Sequence, residues 1–186
     1  MPAAQPEHEG TSTQAGRVVL PLDACEQLCA AFESDIAAPQ ALARIEACRE
    51  AMFGAGLLTV NLVVGRPHAG NPDFQLQRAW SSRPVDYPVG GGKRKAATPW
   101  TEQLLVRGEI FVGEGEAALA AVFDDSARIL ALGLRSVINV PLVAAGECQA
   151  TFNVLGGRGE WQREEVAAVR LLAILARPFV LQIASR

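Results

Sequence analysis

An α+β fold, with one antiparallel sheet and helices at both ends of the chain, is what this sequence predicts. Three observations carry that expectation. Segments rich in β-branched residues, such as Leu57–Val64 (LLTVNLVV) and Arg135–Val143 (RSVINVPLV), come in consecutive runs separated by turn chemistry. Segments of helical period precede and follow them. With 186 residues, 49% apolar and 20% charged, the chain is large enough for one domain with its own core.

The elements follow in order. Asp23–Phe32 (DACEQLCAAF) aligns Leu22, Cys25, Leu28, Cys29 and Phe32 on one helical stripe. Pro39 opens a second helix over 40–53, which Gly54 and Gly56 end. Strands are expected over Leu57–Val64 and Phe74–Ser82. In the second, alternation sets Phe74, Leu76, Arg78 and Trp80 on one face. The stretch from 83 to 101 holds a glycine run and a Lys-Arg-Lys run, and it reads as a long mobile loop with its lysines towards water. Thr98-Pro99-Trp100-Thr101 can cap a helix over 102–106. A short strand is expected at Glu109–Val112, a small helix at Gly115–Phe123, and a second one capped from Asp124, Asp125 and Ser126 and ending near Gly133. Arg135–Val143 and Cys148–Leu155 form a hairpin whose register the turn leaves open. Trp161–Ala184 is a long apolar helix that Pro178 should kink or weaken.

Composition excludes several classes. Net charge is −3 with pI near 5.5, so there is no basic footprint for nucleic acid or an anionic membrane. Arg170, Arg177 and Pro178 interrupt the apolar C-terminal segment, which reads as a packed helix and not a membrane span. Residues 1–16 lack an apolar core and read as a disordered tail, not a secretory signal, leaving 17–186 as one cytoplasmic domain. Four cysteines without a CxxC, and only two histidines, argue against a zinc site and for free thiols. Neither a metal nor a cofactor is expected.

Two short motifs mislead. GGGK at 90–93 lacks the first glycine of a phosphate-binding loop and the hydroxyl residue after its lysine. GEGEAA at 113–118 imitates a dinucleotide fingerprint, but Glu114 and Glu116 would sit against the pyrophosphate.

Leu132–Gly156 (LGLRSVINVPLVAAGECQATFNVLG) resembles the signature hairpin of GAF domains: a short helix, a Gly-Leu step, a Ser-x-x-x-Val-Pro strand, a small turn and an Asn-bearing strand. The order α-α-β-β-loop-β-α-α-β-β-α agrees over roughly 20–185. Tyr87–Gly115 looks like a subset of stand-alone bacterial GAF proteins. The resemblance implies an antiparallel sheet of about six strands with terminal helices on one face. It further implies a small-molecule pocket covered by loops and short helices on the other face, and a homodimer through the terminal helices. The marks of the cyclic-nucleotide and bilin-binding subclasses are absent. So are the pocket-loop cysteines of the free methionine sulfoxide reductases of this fold.

The ligand-binding candidates are Arg78, Trp80, Ser82, Tyr87, Trp100, Thr101, Asn139 and Asn153. An arginine on an apolar strand face can grip an anionic group by a two-pronged hydrogen bond, or pair with a carboxylate and serve only the fold. Trp80, Trp100 and Tyr87 can wall a pocket or fill a core. Asn139 and Asn153 are amides in very apolar strands and need partners, from a ligand or from neighbouring backbone. Lys93, Arg94 and Lys95 are a solvated loop tip or a cationic gate. The function expected is sensing of a small anionic metabolite, with a dimerisation scaffold as the alternative. A thiol enzyme using Cys148 ranks lower, since no general base is paired with that thiol.

Overall fold

A computed structural model describes residues 18–185; the tail expected over 1–16 lies outside them. Helices α1 (Leu22–Phe32) and α2 (Ala38–Phe53) precede strands β1 (Gly56–Gly65), β2 (Phe74–Ser81) and β3 (Gly92–Lys95). A short turn, α3 (Pro99–Thr101), runs into a π-helical turn over Glu102–Val106. Then come β4 (Phe111–Glu114), α4 (Gly115–Val122), α5 (Ser126–Ala131), the hairpin β5 (Ser136–Ala144) and β6 (Glu147–Gly156), and α6 (Arg163–Ala184). The six strands form one antiparallel sheet in the order β3-β2-β1-β6-β5-β4.

One face of the sheet carries the main apolar core. Leu58, Val60, Ile138, Val140, Leu142, Ala150, Phe152 and Val154 meet Leu42, Ile45 and Cys48 of α2 and Val169, Leu172, Ala173, Ala176 and Val180 of α6. Helix α1 lies outside this layer and contributes Leu28 to the core, with Phe32 against Phe179 at 4.9 Å between ring centroids. The Cys25 thiol meets Cys48 of α2, Sγ to Sγ 3.9 Å, and not Cys29, its neighbour on the helix. Helix α6 is long and apolar enough to cross a membrane, but it packs one side on the sheet and continues through Pro178.

Three expectations need correction. The sixth strand, β3, lies inside the stretch read as a free loop, and it pairs Phe74–Gln77 with Gly92–Lys95. Turn contacts pin the rest of that stretch. Arg83 pairs with Asp86 at 2.6 Å, the Tyr87 N–H donates to the Arg83 carbonyl, and the Arg78 backbone bonds Gly90 and Gly91. Strand β4 begins at Phe111, two residues after the expected Glu109. Trp80 does not share a face with Arg78. Val60 pairs with Trp80 and Asn61 with Arg78, so Ala79 is an extra residue that reverses the alternation. Trp80 therefore packs against the helix-side core.

The hairpin register is settled. Asn139 pairs directly with Asn153, and the chain reverses at Ala145 and Gly146, φ 51° and 80°. Two left-handed residues match the twist of a two-residue hairpin.

Candidate functional site

Alternation along the central strands sends Thr59, Asn61, Asn139, Thr151 and Asn153 to the face opposite the helices. Two small apolar clusters bracket this polar centre. Leu57, Val137 and Leu155 pack with Tyr87, Leu119, Ile129 and Leu134 at one end. Phe74, Leu76 and Cys148 pack with Trp100, Leu104 and Leu105 at the other.

Between them lies a small cavity of ≈ 40 Å³, lined by Leu57, Thr59, Asn61, Leu76, Arg78, Tyr87, Lys93, Lys95, Trp100, Phe123, Asp125, Ile129, Asn153 and Leu155. The space is small, of the order of a few water positions, because long cationic side chains fill it. A larger groove of ≈ 600 Å³ runs past Val64, Gln75, Gln77 and Arg94, but it is open to solvent and holds no buried, unpartnered polar atom.

Strand β3 delivers the cations. Lys93 and Lys95 sit two residues apart, on the same side of the strand, and Lys95 is buried with its ammonium 5.9 Å from the Trp100 ring centroid. They do not face water as expected. Lys93 Nζ donates to Asp125 at 2.8 Å and Lys95 Nζ to Asp124 at 2.9 Å. Arg94, between them, points outward to Asp73 at 3.0 Å. Burial alone would raise the Asp125 carboxyl, but the Lys93 hydrogen bond and charge outweigh it and hold the group below the usual carboxylate range. The hydrogen bond and charge of Lys95 likewise lower Asp124.

Arg78 is buried and has no carboxylate on it. Its Nη1 donates to the Pro88 carbonyl at 3.2 Å, and its guanidinium lies 4.8 Å from the Tyr87 ring centroid. Its Nε–H has no partner, nor does the Thr151 hydroxyl, and the Tyr87 hydroxyl has none within hydrogen-bond distance, with the Asp125 carboxylate close beside it. Burial, then the Asp125 charge, pushes the Tyr87 phenol up to about 12, so it stays protonated. Among the described residues four buried side-chain polar atoms lack a partner. Three belong to residues on this face of the sheet, and such groups in a native fold call for an explanation.

The two asparagines form a relay. Trp100 Nε1–H donates to Asn139 Oδ1 at 3.0 Å, Asn139 Nδ2 donates to Asn153 Oδ1 at 2.8 Å, and Asn153 Nδ2 reaches the Thr59 and Thr151 carbonyls, both at 3.3 Å. Asn153 borders the cavity, and Asn139 stands behind Trp100.

Of the eight candidates, Arg78, Tyr87, Trp100 and Asn153 line the cavity and Asn139 supports it. Trp80 lies on the other side of the sheet. Ser82 accepts the Leu58 N–H at 3.0 Å, which holds the end of β2. Thr101 is buried in a capping box with Thr98 and donates to the Ala96 and Thr98 carbonyls. Sequence reasoning missed Thr59, Asn61 and Asp125. Its signal for the first two was the Leu57-Thr59-Asn61 alternation, the same pattern that marked the asparagines of the hairpin. For Lys93 and Lys95 the signal was their i, i+2 spacing.

Cys148 is buried among Phe74, Leu104 and Leu105, and its Sγ–H donates to the Ala150 carbonyl at 3.2 Å. Burial pushes its thiol up to about 11, the opposite of nucleophile activation.

No protein-family model matches the chain, and no curated protein matches it. Solved structures do. The GAF domain of a phosphoenolpyruvate-protein phosphotransferase from Coxiella burnetii is 15% identical with a TM-score of 0.62, over 88% of this chain and 95% of that one. The GAF domain of a two-component sensor histidine kinase from Bacillus halodurans is 10% identical with a TM-score of 0.55, over 76% and 92%. A phycoerythrobilin-bound GAF domain from a cyanobacterial phytochrome is 13% identical with a TM-score of 0.55, over 87% and 95%. At these identities the likeness establishes the fold.

Proposed function

We propose, for a chain whose fold is that of GAF domains, that it is a sensory domain binding a small anionic molecule on the helix-free face of its sheet. The observation that carries this is Arg78: a buried guanidinium with an unpartnered Nε–H, beside two further cations and the unpartnered Tyr87 hydroxyl. The Asp125 charge acts on Arg78, but no carboxylate is hydrogen-bonded to it, and a buried guanidinium with a donor to spare suits an anionic group. Trp100 supplies a flat wall beside it. The solved relatives named above include a sensor kinase domain and a chromophore-bound phytochrome domain, which supports a sensory role over a catalytic one.

The same reading gives the output to a homodimer through the terminal helices. On α6, Leu171 and Ile174 are each 63% exposed, and Leu22 of α1 is 69% exposed. Apolar side chains in such numbers on helices that already bury their other side suit a second copy of the chain. Leu171→Glu with Ile174→Glu should convert a dimer to a monomer in light scattering.

The anion reading is tested by thermal shift against a panel of carboxylic and phosphorylated metabolites, on the wild type and on Arg78→Met. A ligand at about 100 times its dissociation constant adds roughly 2.7 kcal/mol, a rise of very roughly 5–10 °C for a chain of this size, and Arg78→Met should abolish it. The small size of the cavity, ≈ 40 Å³, favours a second reading, a scaffold whose pocket is filled by its own side chains. That reading takes over if no anion stabilises either protein.

A further inference from the structure

The turn between α4 and α5 spends its acidic residues in an unusual way. Asp125 stands at the N-cap of α5, φ −100° and ψ 23°, where an aspartate ordinarily accepts an N–H of the first helical turn. Its carboxylate makes no such bond and reaches instead to Lys93. Asp124 takes Lys95 although its own side chain is 83% exposed. Two carboxylates from consecutive residues of one turn thus neutralise two ammonium groups from alternate residues of one edge strand. They do so at the rim of a cavity in which Arg78 keeps an unpartnered N–H.

We infer that the ligand of this cavity is a small molecule with two acidic groups, and that the Asp124–Asp125 turn is an internal stand-in that such a diacid displaces. The inference rests on the anion-binding reading above and names its ligand class and its regulation. A monoacid replaces one carboxylate and is left beside the other, with the turn still anchored. A diacid replaces both, keeps the charge balance of the two lysines, and leaves Arg78 Nε–H free to bond it. The displaced turn has somewhere to go. Asp125 can swing back to cap α5, and Asp124 is already in water. Both arrangements leave each carboxylate either paired or solvated, so the turn has two states that a ligand can shift. The ligand would then be read as a movement of the α4–α5 turn, while β3 stays paired to β2.

The test titrates the full chain with malonate, succinate, inorganic phosphate and acetate at constant ionic strength, by calorimetry and thermal shift. The wild type is compared with Asp124→Asn, Asp124→Asn/Asp125→Asn and Lys95→Met. One of the two dicarboxylates should bind where acetate does not, and Lys95→Met should lose it. The double variant should bind it about tenfold more tightly, the factor by which a closed state populated at nine-tenths weakens apparent affinity. Asp124→Asn changes one exposed side chain, so it tests the idea even if the double variant misfolds, with an expected gain of about threefold. An anion that binds the wild type but gains nothing in either aspartate variant overturns the stand-in and leaves the anion site. Acetate binding as well as the dicarboxylates overturns the ligand class. Failure of all four probes on all variants overturns this inference together with the reading it rests on.

Discussion

The two faces of the sheet use the same strands for opposite ends. Towards α2 and α6, the central strands from Leu58 to Val154 supply one continuous apolar layer, with Ser136 at its edge. Towards the cavity, the residues one step along the same strands are Thr59, Asn61, Asn139, Thr151 and Asn153, and the apolar contacts split into two small clusters around them. A sheet covered by helices needs only one such apolar face to be stable. The second face can then hold strained electrostatics: a guanidinium without a carboxylate, two hydroxyls without partners, and lysines held by aspartates on a different element. Stability is concentrated on one side of the sheet and the candidate chemistry on the other.

Substitutions sharpen that contrast. The largest loss belongs to the helix side. Phe152 is fully buried at the middle of β6, so Phe152→Ala should cost about 3–5 kcal/mol in urea unfolding, with no ligand effect separable from unfolding. Next is the relay behind the cavity. Asn139→Ala strands Trp100 Nε1 and Asn153 Oδ1 without their partners, at about 2–4 kcal/mol for two buried groups. A drop in Trp100 fluorescence order should accompany it.

At the cavity itself the sign reverses. Arg78→Met removes a buried charge with one long hydrogen bond, so stability should stay level or rise by about 1 kcal/mol while stabilisation by anions disappears. A loss of more than about 2 kcal/mol in that variant would make the Pro88 contact structural and erase the distinction between the faces. The smallest effect is on acid stability. The folded Asp125 carboxyl lies below its ordinary value. Its contribution is therefore full above the unfolded carboxylate value of about 3.9 and is lost as pH falls through the folded one. Asp125→Asn should flatten the acid limb of the stability curve below about pH 4 and leave the neutral region lower. An unchanged acid limb would mean that the Lys93 pair contributes nothing.

Apart from β3, the element order was legible, as were the hairpin and its two asparagines, because each depends on local pattern. Alternation over 57–64 and 135–155 specifies strands, and Gly54, Gly133 and Gly146 specify where segments end. Arg78, Tyr87, Trp100 and Asn153 were legible as polar or aromatic residues in positions that demanded partners. Trp80 was misplaced because one extra residue, Ala79, reverses the faces of a strand, and a bulge has no local signature there. Strand β3 was misread because Gly-Lys-Arg-Lys has little strand propensity of its own. Its pairing to β2 exists only because the turn over 83–91 folds onto Arg78.

By itself, then, the sequence determined an α+β chain with an apolar sheet face, terminal helices to cover it, and a few polar groups on the other side. The tertiary structure alone decided that Lys93 and Lys95 point inward, and that Asp124 and Asp125, about thirty residues away, hold them. The reason is physical. Period and propensity act between neighbours in the chain, whereas an ion pair forms between whatever side chains the closed sheet brings within about 4 Å, and that proximity is a property of the fold as a whole.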